Sequence, residues 1–214
     1  MFTAAPIPAS ALYETLRERI LDQSVAPGAT LTEAAVVLQF GVARPTAKLA
    51  IERLVADGLL RRERHHAARV PDLSRDDIVD LYDARALVEP AAMAALARAG
   101  RIPSSALAAH RALLESTRTG RPIARDDADF HRSLVAAQPS PRLTRLHELL
   151  MGEIELCIGQ VQANHLLSSR LVADQHQRIL DAVTAGDAEL ARHRAQDHIE
   201  NARDALLAHY DATH

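Results

Sequence analysis

The sequence predicts a mainly α-helical protein, a small N-terminal unit followed by a larger helical bundle. Three observations carry that expectation. Only six of the 214 residues are aromatic and none is tryptophan, too few bulky strand formers for a β-sandwich. Apolar residues recur at three- and four-residue spacing through most of the chain, the period of a helix face. The composition, 48% hydrophobic and 25% charged, is that of a folded domain and excludes disordered or collagen-like chains.

The first unit is read element by element. Leu12, Leu16 and Ile20 form a stripe on a helix over residues 10–23, which Pro27 and Gly28 then break. Thr32 is placed to N-cap a short second helix, which Gly41 ends. A third helix is expected over residues 44–57, with Pro45 tolerated in its first turn and Leu49, Leu54 and Val55 facing inward. LLRRE and ARVP then read as two short strands joined by a charged tip at residues 64–67. Three helices and a hairpin in this order make a winged helix-turn-helix, assigned to residues 1–72.

Residues 73–214 are read as a six-helix bundle. Ser74 with Asp77 resembles a capping box opening a helix that runs to Ala99, with a kink or break expected at Pro90 and a stop at Gly100. A second helix opens at Ser104 or Ser105 and ends near Gly120. Four more are expected over residues 124–137, 142–164, 169–184 and 188–209.

Several classes are set aside. A single cysteine, Cys157, has no internal disulfide partner and sits between Leu156 and Ile158, the setting of a buried thiol in a reducing compartment. No apolar run reaches the length of a membrane span, and the proline-bearing N-terminus lacks the basic region of a signal peptide. The expectation is a cytoplasmic protein with no membrane partner.

The net charge of −3 conceals a division. Residues 1–75 hold ten Lys and Arg against eight Asp and Glu, whereas residues 76–214 hold fifteen against twenty. The positive charge sits where the third helix would enter a DNA major groove and present Arg44, Thr46 and Lys48 to base edges. Arg62 and Arg69, in the charged hairpin, are candidates for phosphate or minor-groove contact.

The run PGATLTEAAVVLQFGVARPTAKLAIERLVADGLLRRE resembles the winged helix-turn-helix of the GntR family of bacterial transcription regulators. Pro27-Gly28, Leu31-Thr32-Glu33, Gly41-Val42, Arg44, Leu54 and Gly58-Leu59 match the family pattern over about residues 12–72. Three positions depart from it. Ala43 replaces the usual Ser or Thr cap of the recognition helix, Ala34 stands where an arginine is common, and Ala67 occupies the usual glycine of the wing tip.

In the C-terminal half, Asp127 and His131 stand four residues apart and so share one helix face, while His176 and His198 fall on the last two helices. One carboxylate and three imidazoles converging in a bundle would suit zinc, nickel, manganese or iron. With eleven histidines in the chain, surface or packing roles remain open on spacing alone. The segments DLYDARALVEPAAMAALA, DADFH and HQRILDAVTAGDAELARHRAQDHI also resemble the FCD effector domain of the FadR subgroup of GntR regulators. About 140 residues and six helices are similar to its shorter, VanR-like branch. The resemblance implies that Asp127, His131, His176 and His198 hold a divalent metal, with zinc the leading choice, and that Arg85 lies near the effector cavity. His110, His147, His165, His193, His209 and His214 have no matching position. Arg85 and Glu89 form a four-residue pair of a kind usually found in solvent.

The expected function is a ligand-responsive bacterial transcription regulator, not an enzyme. It would bind an inverted-repeat operator as a homodimer and respond to a small organic acid, with residues 73–214 carrying the effector site and contributing to dimerisation. A metal-dependent hydrolase using the same Asp/His cluster is the alternative, and a constitutive architectural DNA binder a third.

Overall fold

The computed structural model describes residues 7–214, so the sequence reading of the first six residues of the tail lies outside the described residues. Nine helices and two short strands are found among them, and the chain divides into two compact units between Asp72 and Leu73. No single helix among the described residues is long and apolar enough to cross a membrane.

The first unit comprises α1 (Ala9–Leu21), β1 (Thr30–Leu31), α2 (Glu33–Phe40), α3 (Arg44–Ala56) and β2 (Ala68–Arg69). Leu12, Leu16 and Ile20 of α1 are buried, as their spacing predicts. Thr32 accepts a hydrogen bond from the Ala35 N–H through its side chain, and Gly41, at φ 63°, ends α2 in the left-handed conformation that costs glycine least. The chain turns by 119° between α2 and α3, the helix-turn-helix corner.

Three local readings need correction. The inward face of α3 is Ala47, Ala50, Ile51 and Leu54, whereas Leu49 is 58% exposed and Val55 only half-buried. The reason is that α3 packs on α1, and small residues permit the closer approach. The wing also differs from the expected hairpin. Its second arm, β2, pairs antiparallel with β1, Thr30 opposite Arg69 and Leu31 opposite Ala68, and meets the first arm only through an Arg61–Arg69 bridge. Residues 61–67 are all exposed, so no buried alternating face extends that ladder, while the turn at Gly28 (φ 75°) brings Gly28 N–H to Val70 O at 3.0 Å. Finally, Pro90 lies inside an unbroken helix of the second unit. Pro90 and the adjacent Glu89 are both buried, and packing there outweighs the missing backbone donor.

The second unit holds α4 (Arg75–Ala99), α5 (Ser104–Thr119), α6 (Ala124–Ala136), α7 (Pro141–Ala163), α8 (Ser169–Thr184) and α9 (Ala188–Thr213). Its helix ends follow local chemistry. Ser74 and Asp77 form a reciprocal capping box, Ser140, Ser168 and Asp187 cap α7, α8 and α9 through their side chains, and Gly100 and Gly120 close α4 and α5. Met93 and Leu96 of α4, Phe130 and Leu134 of α6 and Ile179 and Val183 of α8 build the main core. That core brings the inner faces of α4, α6, α8 and α9 together, and Cys157 of α7 is fully buried. Burial pushes its thiol up to about 12.

Candidate functional sites

Asp127 and His131 project from one face of α6 because they are four residues apart, His176 comes from α8 and His198 from α9. All four are buried, and one ligand-capable atom from each lies within 4.8 Å of the other three. Asp127 Oδ1 is 3.3 Å from His131 Nε2 and 3.2 Å from His176 Nε2, and His131 Nε2 is 3.1 Å from His198 Nε2. With metal–ligand bonds of about 2.0–2.2 Å, neighbouring ligands of one ion sit roughly 3.0–3.4 Å apart, so these spacings fit a shared cation. Asp127 Oδ1, His131 Nδ1 and both His176 ring nitrogens have no partner with hydrogen-bond geometry. Buried polar atoms without partners are costly, and a cation at their centre would satisfy Asp127 Oδ1 and one His176 nitrogen.

The surrounding residues fix which nitrogens face inward. Glu89 Oε2 lies 2.6 Å from His131 Nδ1 as an ion-pair contact without hydrogen-bond geometry, and Gln175 Oε1 is hydrogen-bonded to His198 Nδ1 at 2.8 Å. Each oxygen favours a proton on Nδ1 and so leaves Nε2 as the ligand atom. Phe130 stacks on the His176 ring with centroids 3.9 Å apart. Glu89 in turn accepts from Arg85 Nε at 2.8 Å and contacts His147 Nε2 at 3.3 Å.

Burial opposes the charge of Glu89, yet the Arg85 guanidinium and His131 hold its carboxyl well below the usual range. Asp127 is likewise held down, against burial, by the imidazoles of His131 and His176. Burial alone would lower His131, but Glu89 and Asp127 raise it to about 9. Burial lowers His176 to about 4, and it lowers His198 well below the usual value with help from the two neighbouring imidazoles. A small cavity adjoins the cluster, lined by Tyr82, Arg85, Asp127, Ile158, Gln162 and His198 among others.

The Arg85–Glu89 pair is buried, contrary to the solvated setting its spacing suggests. Glu89 occupies the Nε–Nη2 edge of Arg85, so that edge is already committed before any ligand arrives. Glu89, Gln175 and His147 were not singled out as supports for the cluster. Position 175 adjoins His176 in sequence, but only the crossing of α8 and α9 carries its side chain to His198. His193, whose four-residue spacing to Asp197 mimics that of Asp127 and His131, sits in solvent 3.5 Å from Asp197.

In the first unit Arg44 opens α3, exposed, and donates from Nε to Glu33 of α2 at 3.0 Å. Thr46 is half-buried two residues along, and Lys48, one turn from Arg44, is exposed 3.7 Å from Glu52. Ala43 stands at the N-cap without a side-chain hydrogen bond. Arg62 is exposed in the wing and Arg69 is exposed on β2.

The pattern described as bacterial regulatory proteins, gntR family, matches residues 8–70, and that of the FCD domain matches residues 80–201. The chain belongs to the GntR family, with an FCD domain. This GntR regulator is 29% identical to the protein of Paenarthrobacter nicotinovorans named "Probable D-xylose utilization operon transcriptional repressor", over 80% of this chain and 76% of that one. It is 27% identical to the HTH-type transcriptional regulator BphR of Paraburkholderia xenovorans, over 92% and 87%. In fold it is similar to a GntR transcriptional regulator from Rhodococcus sp. RHA1, with a TM-score of 0.73 and 23% identity over 96% of this chain and 98% of that one. The GntR/FCD regulator is therefore a DNA-binding transcriptional regulator.

Proposed function

We propose that this regulator binds an inverted-repeat operator as a homodimer and changes its operator affinity when a small organic acid occupies the metal-bearing FCD domain. The observation that carries the reading is the buried Asp127, His131, His176 and His198 cluster, with partnerless polar atoms facing one another across a few ångströms. The donor set suits a divalent ion, zinc first and nickel, manganese or iron as alternatives. When bound, the ion supplies a Lewis-acidic centre to which a carboxylate can attach. Arg44, Thr46 and Lys48 are assigned to base edges and Arg62 and Arg69 to the DNA backbone or minor groove. Arg85, on the cavity wall, offers its remaining terminal nitrogen to the acid.

Metal content of the purified chain tests the cluster. His176→Ala should lose bound metal while His193→Ala keeps it, and full occupancy in His176→Ala would remove the assignment. Because coupling between two ligands is reciprocal, the acid and operator DNA should shift each other's affinity by the same factor. Titrating acids with and without operator reads that factor directly, and a factor of one would leave the metal a structural role only.

A further inference from the structure

Two polar atoms beside the metal cluster are buried with nothing to bind. Tyr82, on α4, is 1% exposed, and its hydroxyl has no hydrogen-bond partner. Gln162, on α7, accepts through Oε1 from the N–H groups of Ile123 and Ala124 at 3.0 and 3.2 Å, capping the start of α6. That double contact fixes the amide orientation, because the oxygen must face the two donors. Its Nε2 is buried and has no partner. Tyr82 and Gln162 line the same cavity, together with Arg85, Asp127 and His198.

The chemistry of the lining leans towards donors. Gln162 Nε2 and Arg85 only donate, and burial holds the Tyr82 phenol protonated, so it has a proton to give as well as an oxygen that can accept. The carboxylates nearby are already engaged. Asp127 belongs to the cluster, and Glu89 is held by Arg85 and His131. An uncharged sugar can accept through its hydroxyl oxygens, but it also brings several hydroxyl donors that need acceptors, and beyond the Tyr82 oxygen this lining offers few. A group that only accepts hydrogen bonds would satisfy both orphaned donors at once. The cavity has room for about one or two waters, so even a three-carbon acid must part the apolar wall at Ile158 and Val161, and a longer one must part it further.

Resting on the reading that an acid binds at the cluster, we propose that Tyr82 and Gln162 form a second anchoring point and that the effector is a short acid with two acceptor groups. One carboxylate serves the metal cluster. A second carboxylate or a keto oxygen serves the phenol and the amide.

Calorimetry on the zinc-loaded full chain with acetate, malonate, pyruvate and D-xylose tests the proposal. Malonate or pyruvate should bind about ten-fold or more tightly than acetate, with no binding of xylose. Tyr82→Phe removes the hydroxyl alone, and Gln162→Glu keeps an oxygen to cap Ile123 and Ala124 while removing the donor. Each should shrink the preference over acetate several-fold, and Tyr82→Phe should leave the ligand-free melting temperature unchanged or raised, because it removes an unsatisfied buried atom. Reading the ratio to acetate cancels the general repulsion that the new Glu charge adds. Acids that bind with an unchanged ratio in both variants, or xylose binding in the cavity, would overturn this inference and leave the acid-effector reading intact. Failure of every acid, acetate included, would overturn both.

Discussion

Two arginine–glutamate pairs of nearly equal length lie in opposite settings. In the DNA-facing unit Arg44 meets Glu33 at 3.0 Å with side chains 81% and 26% exposed, and in the bundle Arg85 meets Glu89 at 2.8 Å with both only 1% exposed. The exposed pair is screened by water and salt and is worth about 0–1 kcal/mol, so Arg44 can leave Glu33 for a base or a phosphate at little cost. The buried pair has no solvent to fall back on. Arg85 and Glu89 act as a fixed scaffold behind His131, and the two pairs differ in kind: one can change partners and the other cannot.

The largest expected effect comes from breaking the buried pair. Glu89→Leu should destabilise the bundle by about 3–5 kcal/mol, since it leaves the Arg85 charge without a partner, whereas Glu33→Ala should cost less than about 1 kcal/mol. Denaturant unfolding measures both. Adding Arg85→Met to Glu89→Leu should restore most of the stability, because an apolar pair of similar volume replaces the ions. Metal affinity should stay depressed by about ten- to a hundred-fold in that double variant, since His131 Nδ1 has lost its oxygen. Recovery of both together would mean that Glu89 acts only as a counter-ion.

Removing the metal proposed for the cluster should have the next largest effect and fall on one unit only. An ion present at about a thousand times its Kd stabilises the state that binds it by about 4 kcal/mol. Chelation should therefore lower the melting temperature of the bundle by on the order of 10 °C. The first unit, which contributes no residue to the cluster, should melt where it did before. Scanning calorimetry with and without chelator resolves the two transitions. A chelator shift in the first unit and none in the bundle would reverse the comparison.

Legibility in the sequence divides along a different line. Helix ends were legible because they are local: Thr32 and Ser74 cap, and Gly41, Gly100 and Gly120 stop, through residues three or four positions away. The Asp127, His131, His176 and His198 set was legible because helix periodicity puts the first two on one face and the family resemblance supplied the others. The pairing of Thr30 with Arg69 was not, since a two-residue strand carries no periodicity and its partner is far along the chain. Burial of Arg85 and Glu89 escaped for the same reason. Their spacing is identical to that of a surface pair, and only the packing of α4 against α6 and α7 decides which it is. Leu49 was misread because apolar spacing alone does not distinguish it from Ala50, and the demand for close approach to α1 selects the smaller residue.

A smaller effect is expected at the exposed first turn of α3, where the proposed base contacts lie. Arg44→Ala should weaken operator binding by about 1–3 kcal/mol and relax base preference at one position in each half-site, with little change in folding. Arg62→Ala, if it meets only phosphate, should weaken all sequences alike and reduce the salt dependence by about one counterion. Binding titrations on a set of operator variants at two salt concentrations separate the outcomes. Unchanged preference in Arg44→Ala would take it out of the reading role.

The smallest effect tests whether the first unit has given up local stability at its DNA-facing helix. Ala43 holds φ −67° and ψ 147° at the N-cap of α3, almost the conformation of Ser168 (φ −73°, ψ 142°), whose side chain accepts from the Leu171 N–H to cap α8. The backbone at 43 is thus already set for a capping side chain, and only the oxygen is missing. Pro45 has no N–H to offer, so a serine at 43 would accept from Thr46, the position equivalent to Leu171. Ala43→Ser should stabilise the first unit by about 0.5–2 kcal/mol and leave the bundle transition where it is. Operator affinity should rise slightly if the first turn carrying Arg44 and Thr46 is otherwise frayed in the free protein. A stabilised unit with unchanged operator affinity would show that this turn is already ordered, and that the cap contributes to folding alone.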